Sequence, residues 1–168
     1  MNSPLYTPEQ RRRRDASPWT MVQAVLAPIQ FLIFLVSLWL VIAYLATGSG
    51  FAEATLSVVI KTAVLYTIMI TGAIWEKDVY GQYLFAPAFF WEDLLSMGVL
   101  ALHTAYIAAV FLNIGTPRDQ MILALTAYIA YLINAGQYIW KLRQARLQAP
   151  ASTDTPSCRS SESTGATA

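Results

Sequence analysis

Charge is the scarcest property of this chain. Of its 168 residues only 12% are Asp, Glu, Lys or Arg, while 56% are hydrophobic. Soluble domains carry about 25% charged residues, so roughly half the usual solubilising surface is missing. A water-soluble globule of this size leaves most side chains partly wet, and so few charges cannot cover them. That excludes an ordinary cytosolic globule, a disordered chain and a strongly basic nucleic-acid binder. Cysteine is nearly absent too. The single Cys158 permits no intrachain disulfide and no multi-cysteine metal site. The single histidine, His103, disfavours a bis-histidine haem within one chain.

The charges that are present sit unevenly. Six fall in residues 1–20, six in 141–168 and only nine in the 120 residues between. Four apolar runs occupy that middle. Residues 21–46 and 120–140 contain no charge, 54–75 contain only Lys61, and 94–112 contain only His103. About 20 helical residues cross a hydrocarbon core, and these runs are continuous rather than alternating and too long for barrel strands. The sequence therefore predicts an all-α polytopic membrane protein, a bundle of four transmembrane helices within residues 19–148. Residues 1–18 form an arm before it. Residues 149–168, rich in Ser, Thr, Ala and Pro, are expected to be a disordered tail in which Cys158 is incidental. A cleaved signal peptide does not fit, because the first run exceeds an h-region of about 7–15 residues and three more follow.

Cationic residues orient the bundle. Arg11 to Arg14 precede the first run, Lys77 follows the second, and Lys141, Arg143 and Arg146 follow the fourth, whereas the opposite side has only Arg118. The positive-inside rule then places both termini, and the connection from Glu76 to Asp93, in the cytoplasm. Trp19, Trp75, Trp91 and Trp140 fall at those same ends, where amphipathic rings prefer the headgroup level. Thr7-Pro8-Glu9-Gln10 has the form of a capping box opening a short interfacial helix. Ser17-Pro18 is placed to cap the first span, and Pro28 to kink it.

Polar side chains are costly in a bilayer, so their placement points to function. Gln23, Gln30, Ser37 and Tyr44 recur every seven residues on one face of the first span. Asn134, Gln137 and Lys141 share a face of the fourth, and Glu92, Ser96, Val99, His103 and Tyr106 share one of the third. Together they describe a polar funnel from the cytoplasmic interface toward the midplane. Gln and Asn on such faces often only join helices. Lys61, two turns inside its span, is expected to snorkel outward. A lone imidazole at depth is rarer as a structural element and suggests a ligand to a metal or pigment. The connection 75–93 holds seven of the chain's 21 aromatics, interleaved with the carboxylates Glu76, Asp78, Glu92 and Asp93. Aromatic planes beside carboxylates suit a large flat ligand with one reacting polar edge.

Several strings carry a resemblance: Gly72-Ala73-Ile74-Trp75-Glu76-Lys77, Leu84-Phe85-Ala86-Pro87-Ala88-Phe89-Phe90-Trp91-Glu92-Asp93, Leu102-His103-Thr104-Ala105-Tyr106 and Tyr131-Leu132-Ile133-Asn134-Ala135-Gly136-Gln137. Across residues 4–148 the chain resembles the vinyl bacteriochlorophyllide hydratases of phototrophic bacteria. The resemblance implies hydration of the 3-vinyl group of chlorophyllide a to a 3-(1-hydroxyethyl) group. It also implies an inner or intracytoplasmic photosynthetic membrane, and possible contact with other pigment-biosynthesis enzymes. No cofactor is expected, since hydration moves no electrons and the substrate carries its own magnesium. The family lends no established catalytic residue, so roles rest on chemistry and position.

Hydration of a vinyl group needs a proton for its terminal carbon, a positioned water and a base. Glu92 is the first candidate acid, with Asp93 and Glu76 next. Ser96, Asn134 or Gln137 are candidates to hold the water. Gln30, Trp91 and Phe90 are candidate lining residues, and Lys77 or Lys141 are candidates to meet the substrate propionate. His103 lies three turns from Glu92, roughly 16 Å along the axis, which favours an axial ligand to the substrate magnesium over proton transfer. A non-catalytic carrier or assembly factor for a magnesium tetrapyrrole is the alternative reading. A transporter is disfavoured, because no span shows a paired Gly/Pro break.

Overall fold

The computed structural model describes residues 6–147. The expected tail with Cys158 and the side chain of Arg146 lie outside the described residues. Five helices follow one another: α1 (Pro8–Ala16), α2 (Pro18–Thr47), α3 (Phe51–Tyr80), α4 (Phe90–Phe111) and α5 (Pro117–Leu147). α2 to α5 supply four helices long and apolar enough to cross a membrane. Each runs antiparallel to the next. Gln23 reaches Thr71 and Ser37 reaches Ser57 between α2 and α3, and Asn134 reaches Ser96 between α5 and α4. α1 and the end of α5 therefore share one face of the bundle, called the arm face below.

Local signals account for the helix ends. Thr7 and Gln10 form the expected capping box, each backbone N–H donating to the other's side chain. Thr116 and Asp119 do the same before α5. Ser17 precedes α2 as expected, but makes no cap hydrogen bond. Its hydroxyl instead donates to Asp78 at 2.9 Å, joining the start of α2 to the end of α3. Pro28 lies inside α2 without ending it. The helices also outrun the apolar runs. α3 continues through Glu76 and Lys77, which are good helix formers once the chain reaches the interface, and stops at Gly81 with φ 86°. Glu76, Glu92 and Asp93 thus stand on helix ends rather than in a loop.

α2 packs along α3 and α4 along α5, and the two pairs close on a core that includes Phe34, Val41, Val58, Tyr106, Met121 and Tyr128. Ala54, Ala124 and Ala127 are fully buried, the small residues that let helices approach within lipid. Leu32, Trp39, Leu56 and Ile129 point outward, as a lipid-facing surface requires.

Lys61 does not snorkel. It is 0% exposed, and its Nζ lies 2.6 Å from His103 Nε2. The His103 Nδ1–H donates to the Val99 carbonyl at 2.8 Å. Nε2 is therefore the acceptor of the neutral ring and Lys61 the donor. The ammonium also lies 4.2 Å from the Tyr131 ring centre and 5.2 Å from that of Tyr128. The physical reason is facial. Lys61 shares its side of α3 with the buried Ala54, Val58 and Leu65, so outward extension was never open to it.

Removing one member of this pair strands the other. Leaving a buried polar group unmatched costs about 1–3 kcal/mol. Lys61→Met is expected to lower the thermal midpoint in detergent, and Lys61→Met with His103→Leu to recover part of the loss. Thermal unfolding of the purified protein checks this; a double variant less stable than the single would refute the pairing.

Candidate active site at the arm face

Residues 81–89 connect α3 to α4, and they fold back beneath both helix ends. Phe85 adopts φ 60°, a left-handed conformation costing a non-glycine residue about 1–2 kcal/mol. The turn aims two successive amides inward. Phe85 N–H donates to Asp93 Oδ2 at 2.8 Å, and Ala86 N–H donates to Glu76 Oε1 at 2.7 Å. The two carboxyls thus hold successive amides of one turn and are electrostatic neighbours. Two like charges brought together away from water favour a proton on one of them, so the pair is suited to store one proton.

Glu92, the neighbour of Asp93, faces α5. Its Oε2 accepts from Lys141 Nζ at 2.8 Å. The same ammonium donates to the Ala88 carbonyl and lies 4.7 Å from the Phe89 ring centre. Outside this ion pair a groove of about 670 Å³ runs between α4 and α5, bordered by Trp91, Glu92, Gln137, Trp140 and Lys141. Its volume is in the range of small-molecule sites. Trp91 and Trp140 are more than two-thirds exposed, so the groove opens sideways toward lipid.

Aromatic rings cover the carboxyl pair. Phe89 packs against Trp75, Tyr80 and Tyr138 at 6.0, 5.8 and 6.1 Å between centroids. Tyr6 stacks on Tyr80 at 6.0 Å, and Arg14 lies over Tyr6. Burial pushes the Tyr6 hydroxyl up from the ordinary phenol range, with Arg14 opposing, so the ring stays neutral beneath the cation. Trp75 Nε1–H donates to Thr20 at 2.9 Å. The Thr20 hydroxyl, at the start of α2, donates in turn to the Arg14 carbonyl of α1, which ties α1 to this end of α3.

The sequence-based candidates separate into groups. Glu76, Glu92, Asp93, Ser96 and Asn134 are buried together at the arm face, with Asn134 Nδ2 donating to Ser96 Oγ at 2.9 Å. Gln137 and Trp91 line the groove. Phe90 is exposed and packs on Phe85 and Trp91, each 5.6 Å away. Lys77 turns away to Tyr83, 2.7 Å distant. Gln30 is buried inside the bundle, and neither of its amide atoms has a partner among the described residues. His103 stands apart from the cluster, at the level of Lys61. His103 was expected as an axial ligand to the substrate magnesium; Nε2, the atom such a ligand would use, is engaged by Lys61. Sequence reasoning passed over Tyr138, which stacks on Phe89 and has the carboxylates Asp93, Glu92 and Glu76 as its electrostatic neighbours. The signal was available, since Asn134, Tyr138 and Lys141 follow helical 4-and-3 spacing.

Comparison with known proteins bears on this cluster. A family model described as 2-vinyl bacteriochlorophyllide hydratase matches residues 6–144. The chain is 67% identical over 146 residues to the 2-vinyl bacteriochlorophyllide hydratase of Rhodobacter capsulatus, covering 86% of this chain and 84% of that protein. It is 66% identical over 148 residues to the 2-vinyl bacteriochlorophyllide hydratase of Cereibacter sphaeroides, covering 88% and 91%. No solved structure matches.

The carboxyl pair has a structural duty that can be isolated. Glu76→Ala removes the acceptor for the Ala86 amide, whereas Glu76→Gln retains one. Hydrogen exchange over residues 81–89 is expected to accelerate in the first variant and to stay near the parent rate in the second. Equal rates in both would show that Glu76 does not hold the turn.

Proposed function

The chain belongs to the 2-vinyl bacteriochlorophyllide hydratase family, and we propose that its arm-face carboxyl cluster is where hydration takes place. The enzyme adds water across the 3-vinyl group of chlorophyllide a, giving the 3-(1-hydroxyethyl) derivative. The observation that carries the siting is the position of Glu92. It borders the groove on one side and adjoins the proton-holding Asp93–Glu76 pair on the other.

The chemistry follows from that placement. A macrocycle entering sideways from lipid lies along Trp91, with Phe90 at its flank, and brings its vinyl edge to Glu92. The vinyl π pair takes a proton on the terminal carbon, and the inner carbon becomes a cation delocalised into the ring. Water attacks there and gives up one proton, so one water is added and the proton count closes. Glu92 accepts from Lys141 in the resting enzyme, so it acts as donor only after drawing a proton from the Asp93–Glu76 pair. General acid–base groups placed this way contribute about 10²–10⁴-fold. Ser96, Asn134 and Gln137 orient the water. Lys141, at the groove lip, is the cation best placed for the substrate propionate, ahead of Lys77. The magnesium belongs to the substrate, and His103 supplies it no ligand in this reading.

The arm face is the cytoplasmic side of the inner or intracytoplasmic membrane in this reading. The arginines of α1, with Lys77, Lys141 and Arg143, all gather there, as the positive-inside rule requires. A site at that interface meets both a water-borne proton supply and a lipid-soluble pigment.

Glu92→Gln is expected to slow hydration by about 10²–10⁴-fold while leaving pigment binding near the parent value. Loss of the vinyl absorption signature and gain of one water in product mass measure turnover; a parent-like rate would remove Glu92 from the mechanism. The Lys61→Met, His103→Leu double variant is expected to bind and hydrate pigment normally, because the deep pair lies outside the site. Lost pigment affinity in that variant, with folding intact, would restore His103 as a ligand.

A further inference from the structure

One stripe of α5 forms a wall of the groove. Ile133, Gly136, Gln137, Trp140 and Gln144 line it, at the three- and four-residue spacing that keeps positions on one helix face. Ile133 and Trp140 are 55% and 67% exposed and stand on either side of Gly136, which projects nothing. Around the point where a Gly136 side chain would begin, no atom lies within 4 Å among the described residues, its chain neighbours and own helix backbone aside. Neither groove tryptophan fills this notch.

Folding does not account for a glycine here. After proline it is the residue least favourable to a helix interior, and it sits well inside the 31-residue α5. Glycine suits a span where another helix presses close to the backbone. Gly72 of α3 is such a case, with the Gln23 amide of α2 lying 3.8 Å from the place a Cβ would take. Among the described residues nothing presses on Gly136 in that way. What remains is the groove, in which a missing side chain leaves a slot.

We propose that Gly136 is a binding position for the tetrapyrrole, its missing side chain admitting the rim of the macrocycle between Ile133 and Trp140 and so setting how close the vinyl edge comes to Glu92. The inference rests on the arm-face siting of the reaction and deepens it. Ile133 and Trp140 are seven residues apart, roughly 10 Å along the axis. A planar ring touched on both faces needs about 7–8 Å between the flanking carbons, twice the contact distance of about 3.5–4.0 Å. The slot therefore takes one flat ring, provided that no side chain rises from its floor. A Cβ at Gly136 would hold the rim off the backbone. Glu92 borders the same groove and is tethered to Lys141 at 2.8 Å, so it is poorly placed to follow a displaced substrate. Misplacement by about 1 Å can cost about 10²-fold in rate. A flexible acyl chain gains little from such a slot, since it fits a ridge or a notch alike. The bare position favours a rigid, flat ligand over lipid.

The test uses the full-length protein in detergent with chlorophyllide a. Equilibrium binding reads pigment affinity, loss of the vinyl absorption signature reads turnover, and the thermal midpoint reads folding. Gly136→Ala is expected to keep or raise the midpoint, since alanine favours a helix, yet to lower kcat/KM about tenfold or more. Gly136→Leu is expected to abolish pigment binding with the fold retained. Gly98 of α4 is the counterpart: it also has open space around it but does not line the groove. Gly98→Ala is expected to keep the parent affinity and turnover. If both Gly136 variants bind and turn over pigment at parent values while Glu92→Gln is inactive, the Gly136 inference is wrong and the siting stands. If Glu92→Gln is itself fully active, the siting has failed as well. A Gly136→Ala protein whose midpoint falls along with its activity, or equal losses in Gly98→Ala and Gly136→Ala, would assign the glycine to helix structure and overturn the inference.

Discussion

A bilayer offers no water to a polar group inside it, so each must find a partner in protein. The hydrogen bond from Lys61 to His103 is where this constraint is most severe. Both side chains are fully buried, on α3 and α4. Two tyrosine faces on α5 complete the surroundings. One turn away Ser37 of α2 joins Ser57 of α3 and Tyr128 of α5, at 2.7 and 2.5 Å. All four spans are thus tied at one depth by groups that have nowhere else to turn. Apolar packing in lipid does not by itself choose a rotation for each helix. These bonds do so jointly, and the Ser37–Ser57–Tyr128 links still orient α2, α3 and α5 where the deep pair is replaced by apolar residues.

Once that rotation is set, the face of α4 carrying His103 also carries Ser96 and Glu92, while the adjacent Asp93 turns to α3. The carboxylates then serve two ends at once. Glu76 and Asp93 hold the amides of a strained turn, and their closeness away from water suits the pair to keep one proton. Structural and chemical roles coincide because one requirement underlies both: a carboxyl taken from water must be hydrogen-bonded. The two loop amides that fulfil it also bring the carboxyls together. Lys141 does the same for Glu92 and for the stranded Ala88 carbonyl.

How far the chain could be read without coordinates follows the same division. The four spans, the capping box at Thr7 and the shared face of Glu92, Ser96 and His103 were legible, because each depends on local spacing or run length. Helix extent was less so: an apolar run marks hydrocarbon, whereas α3 continues to Tyr80 on helix propensity alone. The direction of Lys61 was misread because snorkelling is a property of lipid-facing lysines, and which face meets lipid is decided by neighbours distant in sequence. Tyr138 was missed for a related reason. A tyrosine near a membrane interface resembles a belt residue until Phe89, from another element, is seen stacked on it. Gln137 was placed on an inward stripe, yet three residues past Asn134 is a 300° rotation, enough to carry it from the interior to the groove.

The location of the cluster also reconciles the two substrates. A tetrapyrrole that partitions into lipid and a water molecule have no common solvent, and only the interface supplies both. The groove opens toward lipid between two tryptophans, while the carboxyl pair lies behind it under Phe89, Trp75 and Tyr80. A cation formed beside bulk water would be open to protons and solvent from every side. In the proposed siting, the aromatic cover, joined to Arg14 of α1 through Tyr6 and Thr20, leaves the hydrogen-bonded seam between α4 and α5 as the ordered polar path to the vinyl edge. On the proposed siting, scarcity of charge in this chain is therefore what sets the few interfacial carboxyls apart: with hydrocarbon and rings around them, each is held by fixed partners rather than by solvent.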